Sequence, residues 1–276
     1  MKLSFVLSTS PTKFKALTQT SNLEGSLKRL SSLGYDGVEL AISDPDIVDI
    51  KNLVRLVNKY NLDVPAIATG QTFVEEGLNL SDASAEIRKK AIKRLKRHIE
   101  TAGEFGAIVI IGLVQGNVKK GEKLKDVENR FIDNLGKCLD FAKRLKIRMV
   151  LEPVNRYENG FVHSAEYAMS LLRRCPYDNC GLLLDTFHMN IEEKDIYKTI
   201  ISSRKFLWHV HISDSNRWAP GQGHLDFRKI IETLKALQYV GYLSAEILPI
   251  PDSDNAMQLT IEHIGCLGYK IFSDRT

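Results

Sequence analysis

Eight short apolar runs, each followed by a longer amphipathic stretch, recur along the 276 residues, and this alternation limits what the chain can fold into. The runs fall near 3–7, 37–41, 63–68, 107–111, 148–152, 181–185, 206–211 and 242–247. Strands alternating with helices are the pattern of βα units that feed a parallel sheet. Runs such as Ala107–Ile111 are apolar throughout, as expected of strands covered on both faces. Eight such units close most naturally into an α/β (β/α)8 TIM barrel. No Pro-, Ser- or Gly-rich tract breaks the pattern, so residues 1–276 read as one barrel domain.

Composition narrows the class. With 43% hydrophobic and 26% charged residues, the chain is neither disordered nor fibrous. No apolar run approaches the ~18 residues of a membrane span. The apolar stretch in the opening MKLSFVLSTSP is too short for a secretory leader and reads as a first strand. Cys138, Cys175, Cys180 and Cys266 show neither a disulfide framework nor a zinc pattern, and read as reduced thiols of a cytoplasmic protein. A net charge of +4 is too mild to imply nucleic acid. The basic stretch at 87–98 keeps Ile87, Ala91, Ile92, Leu95, Ile99 and Ala102 on one helical stripe, so its charges read as a solvated outer face. Expected partners are therefore small molecules, with no nucleic acid and no membrane.

Four consecutive runs end in a potential metal ligand: Glu152, Asp185, His211 and Glu246. Their separations of 33, 26 and 35 residues are about one βα unit each, which places them side by side at one rim of a barrel. Side chains two apart on a strand share a face, so Val150, Leu183, His209 and Ser244 would line the interior below. Leu151, Leu184, Val210 and Ala245 would face the helices, and all four are apolar. Three carboxylates and one imidazole make a mostly oxygen site, which suits Mn²⁺, Mg²⁺ or Co²⁺ better than structural zinc. No organic cofactor is expected. Two long loops, near 69–84 and 212–226, would lie at the same rim, where barrel active sites sit.

Further polar groups surround the row. His188 and Arg217 are placed to polarise or anchor a substrate oxygen, and Asp214 to support a ligand. His209 reads as a hydrogen-bonded interior histidine. His224 sits in the glycine-punctuated loop, His163 near a helix start, and His98 and His263 on outer helices read as surface. A divalent ion at such a row can polarise the ketone of a keto sugar and stabilise the enediolate formed when an α-proton leaves. Glu152 and Glu246, on opposite sides of the substrate plane, would serve as base and acid. Proton return to the same face at the neighbouring carbon gives aldose–ketose isomerisation. Return to the opposite face inverts the carbon.

At these residues the sequence resembles the xylose isomerase-like TIM barrels, and within them the ketose 3-epimerase group. The resemblance is carried by Gly34-Tyr-Asp-Gly-Val-Glu-Leu40, Glu152-Pro-Val-Asn-Arg-Tyr-Glu158, Asp185-Thr-Phe-His-Met-Asn-Ile-Glu-Glu193, Asp214-Ser-Asn-Arg217 and Pro220-Gly-Gln-Gly-His224. Met1-Lys-Leu-Ser, Ser8-Thr-Ser10, Ala66-Ile-Ala-Thr-Gly-Gln71 and Ile110-Ile-Gly-Leu-Val114 are similar to a narrower, tagatose 3-epimerase-related branch of 5-keto-L-gluconate epimerases. The resemblance implies a metal, usually Mn²⁺, on Glu152, Asp185, His211 and Glu246. It implies the two glutamates as the proton-transfer pair, and His188, Arg217 and Glu158 as substrate contacts. It also implies a homodimer or homotetramer. Ser8–Ser10 lack the aromatic associated with neutral-ketohexose epimerases, which leaves room for a sugar acid with Gln71, Thr69 and Arg217 facing its carboxylate.

The expected function is thus a metal-dependent epimerase acting next to the ketone of a keto sugar or keto sugar acid. The rivals are an aldose–ketose isomerase on the same site, a non-catalytic sugar-binding barrel, and an endonuclease IV-like repair enzyme. The last needs a zinc cluster with histidines from early strands, and here no histidine precedes His98.

Overall fold

The computed structural model describes residues 1–13, 18–19 and 22–268. Eight parallel strands form the barrel: β1 (Lys2–Ser8), β2 (Gly37–Ala41), β3 (Ala66–Ala68), β4 (Ile108–Ile111), β5 (Met149–Leu151), β6 (Cys180–Asp185), β7 (Leu207–Ile212) and β8 (Tyr242–Ala245). They pair in sequence order, and β1 closes the barrel on β8 with Ser4 opposite Ser244. A two-residue strand, Thr18–Gln19, adds parallel to Leu7 and Ser8. All eight sequence-expected strands are present, and helices fill the crossovers. No helix among the described residues is long and apolar enough to cross a membrane.

The helices start where polar caps dictate. Asn22, Asp49, Ser164, Asp195, Asp226 and Asp252 each accept a hydrogen bond from a first-turn backbone N–H. Such caps contribute about 1 kcal/mol each. The basic helix runs Ala85–Phe105 and buries Ala91, Leu95, Ile99 and Ala102 against the sheet. His98 is a correction to the sequence reading. It is fully buried, with Nε2 2.8 Å from the Ile42 carbonyl and Nδ1 2.9 Å from that of Arg94. It lies next to Ile99 and three residues past Leu95, at the edge of the apolar stripe. His263 is half-buried on the last helix, edge-on to Phe227. The stretch at 69–84 is not a plain loop, because Gly70–Glu76 forms a helix that ends on Gly77 in the left-handed conformation.

Strand parity divides the core as the sequence implied. Leu151, Leu184, Val210 and Ala245 join the large apolar layer between sheet and helices. Inside the barrel, Val6, Ala41, Ala66, Ala68, Ile108, Ile110, Val150 and Leu183 form a second cluster. That inner cluster fills only part of the lumen. Ser4, Glu39, His209 and Ser244 are inward, fully buried and polar, on β1, β2, β7 and β8.

A register shift puts an extra residue, Trp208, into β7 opposite Leu182 and Leu183. Bulges re-aim side chains, and Trp208 packs against the inner cluster. Gly181 makes room for it, since a Cβ there would lie 2.2 Å from the indole. Gly181→Ala is therefore expected to destabilise by about 1–3 kcal/mol. Urea denaturation followed by tryptophan fluorescence checks this; an unchanged midpoint would show that the indole relocates freely.

Candidate functional site

The four rim residues foreseen from strand spacing converge. Glu152 and Glu246 lie one residue beyond β5 and β8, Asp185 ends β6, and His211 is the penultimate residue of β7. None is more than 7% exposed. His211 Nδ1 is 3.6 Å from Glu152 Oε1, 3.8 Å from Asp185 Oδ2 and 3.9 Å from Glu246 Oε2. Asp185 also caps the helix Thr186–Glu192, with Oδ1 accepting from Phe187 N at 2.6 Å. Only one of its oxygens is so occupied. Glu152 Oε1, Asp185 Oδ2 and His211 Nδ1 are buried with no hydrogen-bond partner.

Three buried polar atoms gathered at one point without protein partners are costly unless a proton, a water or a cation sits among them. Two ligands about 2.1 Å from one cation stand about 3–4 Å apart, close to the spacings seen. Single ligand atoms of Glu152, Asp185, His188 and Glu246 also lie within 4.8 Å of one another. The tautomers separate the two histidines. Asn155 Oδ1 accepts from Tyr157 N at 3.0 Å, so its amide Nδ2 is the end that meets His188 Nδ1 at 2.8 Å. An amide nitrogen only donates, so neutral His188 carries its proton on Nε2. That nitrogen, 3.9 Å from Glu152 Oε1, is a donor aimed into the cleft and not a metal lone pair. His211 has the opposite arrangement: its Nε2 meets Glu39 Oε1 at 2.9 Å, leaving Nδ1 for the acids.

Arg217 completes the cleft. It is 6% exposed and adopts φ 62°, the left-handed region that a side chain reaches at a cost. The turn throws its guanidinium inward, where Nη1 donates to Glu158 Oε1 at 2.5 Å and Nη2 to Glu246 Oε2 at 2.9 Å, over the Phe187 ring. Free space between these groups is about 30 Å³, room for about one or two waters. A far larger cavity, about 790 Å³, lies at the opposite end of the barrel beside Arg148, Trp208 and Tyr239. The acids are not there, and barrel chemistry belongs to the C-terminal rim.

The remaining sequence candidates sort clearly. Asp214 organises its loop, accepting from the backbone N–H of Ser215, Gly221 and Leu225. His224 is exposed and bonds Ser215. His163 bonds the Val154 carbonyl. Thr69 lines the cleft, but its hydroxyl is spent on the Ile110 carbonyl. Gln71 is not brought to the row; it is buried with Nε2 on Ser8 Oγ at 2.6 Å. His209 is the interior histidine expected, bonded to Glu39. Sequence reasoning missed Glu39 and Asn155. Glu39 carried a signal, being the one charge in the apolar strand Gly37–Ala41, on the same parity as the inward Ala41.

Comparison with known proteins assigns the family. The model of the Xylose isomerase-like TIM barrel family matches residues 27–265. The chain belongs to this family. It is similar to an L-ribulose 3-epimerase of Mesorhizobium japonicum, 30% identical over 84% of this chain and 78% of that one. It is also similar to a 3-dehydro-D-guloside 4-epimerase of Escherichia coli K12, 26% identical over 82% and 87% of the two chains. Among solved structures, an L-ribulose 3-epimerase superposes with a TM-score of 0.84 at 26% identity, covering 96% of this chain and 94% of that one. As in other members of the family, a closed barrel carries the site, and these relatives are sugar epimerases.

Electrostatics give the site a pH signature. Burial pushes Glu246 up to about 7 and Asp185 up to about 6, against the pull of His211 and Arg217, and raises Glu152 as well. Burial opposes charge on His211 too, but Glu39 outweighs it and holds the imidazole well above its usual value. Burial and Arg217 hold His188 well below. Raised folded-state values mean stability that is present at low pH and lost as pH rises through them. With chelator present, the melting temperature is expected to fall by about 3 °C or more between pH 5 and 8. Saturating Mn²⁺ should remove that fall, because the cation replaces the protons. Thermal denaturation at the two pH values checks it; a flat profile in chelator would contradict the assigned clustering of charge.

Proposed function

We propose that this barrel is a divalent-metal-dependent epimerase that inverts the carbon next to the ketone of a keto sugar or keto sugar acid. The observation that carries the reading is the row itself. Two buried glutamates sit at its two ends, with an aspartate and the Nδ1 edge of an imidazole between them. The relatives' names support the reaction class. A ketose 3-epimerase and a 3-dehydro-sugar 4-epimerase both act at a carbon adjacent to a ketone.

Glu152, Asp185, His211 through Nδ1, and Glu246 would hold the cation. Their three-oxygen, one-nitrogen donor set suits Mn²⁺, with Mg²⁺ or Co²⁺ as substitutes. When bound, the ion supplies the positive charge that polarises the ketone and lowers the cost of the enediolate. Glu152 and Glu246 exchange the α-proton, one withdrawing it from its face and the other returning a proton to the opposite face. Arg217, bridging Glu158 and Glu246, orients the carboxyl and offers its guanidinium to a substrate oxygen. His188 donates from Nε2 to the ketone side of the substrate, held in that tautomer by Asn155. Gln71 acts at a distance, bracing Ser8 at the end of β1 where the far part of a sugar or its carboxylate would lie. One further copy of the chain would complete a homodimer, and three further copies a homotetramer.

Incubation of the Mn²⁺-loaded protein with ketohexoses, ketopentoses and keto sugar acids in D₂O tests the reading. Proton NMR after chelation is expected to show loss of one α-proton signal and appearance of the epimer. An aldehyde product would assign the isomerase chemistry instead, and binding without exchange would leave only a sugar-binding barrel. Glu246→Gln is expected to lower turnover by at least about 10³-fold while retaining some metal, since a lost acid–base group costs about 10²–10⁴. A variant with substantial activity removes Glu246 from the mechanism.

A further inference from the structure

Deep in the barrel, Glu39 lies in the middle of β2, fully buried, on a strand that contributes nothing to the row of rim ligands. Both of its oxygens are taken by imidazoles from β7. Oε1 meets His211 Nε2 at 2.9 Å and Oε2 meets His209 Nε2 at 2.8 Å. An ionised carboxylate accepts at both oxygens, and that is the form matched by an imidazole nitrogen at hydrogen-bond distance from each. Both Nε2 atoms must carry hydrogen. In a neutral imidazole the lone pair is then on Nδ1, and His211 Nδ1 is the partnerless atom that faces the three acids.

We infer that Glu39 is the positioning residue of the cation site: it decides which nitrogen of His211 the site receives. The inference rests on the cation reading above. One further contact holds Glu39, and two more hold the ring that makes it. His209 pins the second oxygen. Its ring stands edge-on to His211 at 5.4 Å and 79°. Ser244 Oγ lies 3.1 Å from His209 Nε2 and bonds Ser4 Oγ at 2.5 Å across the seam that closes the barrel. A glutamine in place of Glu39 has one acceptor and one donor. It can satisfy one Nε2–H, but against the second ring it presents N–H to N–H. One histidine must then move its proton to Nδ1, and if that histidine is His211 the site loses its nitrogen ligand.

Co²⁺ titration by calorimetry and visible absorption, on the full-length protein, with melting in chelator measured beside it, tests the inference. Glu39→Gln is expected to weaken Co²⁺ by about 10–100-fold and alter the ligand-field band, whereas His209→Asn, which spares the Glu39–His211 bond, keeps affinity within about threefold. A purely structural role for Glu39 would weaken both variants alike, or neither, and either result overturns the inference. If Glu39→Gln does not fold, histidine-¹⁵N NMR of the Zn²⁺-loaded wild type decides. Zinc on His211 Nδ1 with a retained Nε2–H supports it, and zinc on Nε2 overturns it. A wild type that takes up no Co²⁺ overturns the cation reading as a whole. Normal uptake with an indifferent Glu39→Gln overturns this inference alone.

Discussion

Charge balance in a dry interior governs this molecule. Glu39, Glu152, Asp185 and Glu246 are all buried within one neighbourhood. Each isolated buried ion costs several kcal/mol, and paired geometry must return that cost. Glu39 is satisfied locally, with an imidazole nitrogen at hydrogen-bond distance from each oxygen. The rim acids are not: Arg217 reaches only Glu246 among them, and Glu152 and Asp185 each keep an orphaned oxygen. Proton uptake relieves part of that imbalance, which is why burial raises all three acids. A divalent cation relieves it more fully, and places its charge where an oxyanion on a substrate would form.

The barrel interior is arranged around that balance. A uniformly apolar lumen would pack well but could not carry a hydrogen-bonded path beneath the rim. Here β3 to β6 supply the apolar half, with Ala66, Ala68, Ile108, Ile110, Val150 and Leu183. The polar half comes from β7, β8, β1 and β2, and it stacks Ser4, Ser244, His209 and Glu39 directly below His211. The extra residue in β7 feeds Trp208 into the lumen below this stack. Rigidity below the rim is what lets an unpartnered nitrogen be held at a fixed place above it.

Much of this was legible in the sequence because two periods are strict. The βα repeat placed Glu152, Asp185, His211 and Glu246 on adjacent strands, and the two-residue strand period told inward from outward. Both are short-range rules that tertiary context rarely overturns in a parallel barrel. What escaped notice depends on distance in space. Glu39 pairs with residues 170 and 172 positions away, and nothing local marks that pairing. His98 borders an apolar stripe and reads as surface by residue type, but its ring is buried between the Ile42 and Arg94 carbonyls and can donate to either. Asp214 shows the reverse. A loop acid near a candidate ligand suggested support of the site, yet three backbone N–H groups occupy its carboxylate.

The row fixes a reaction more firmly than it fixes a substrate. Two carboxylates flanking a polarised ketone can exchange whichever α-proton lies between them, and the chemistry does not depend on the carbon's number along the sugar. The relatives' names bear this out for those proteins, since they include both 3- and 4-epimerases. Selection of the carbon must therefore reside in groups that grip the rest of the sugar. On one side stands the Glu158–Arg217 pair, with Arg217 buried, Glu158 half-buried and the guanidinium bridged to Glu246, so on the proposed reading a change there would alter proton transfer as well as binding. On the other side lie Ser8 and Gln71, which touch none of the row residues by hydrogen bond and are free to vary without disturbing it. On the proposed reading, substrate choice would rest with groups at the ends of β1 and β3, and proton transfer with those at the ends of β5 to β8.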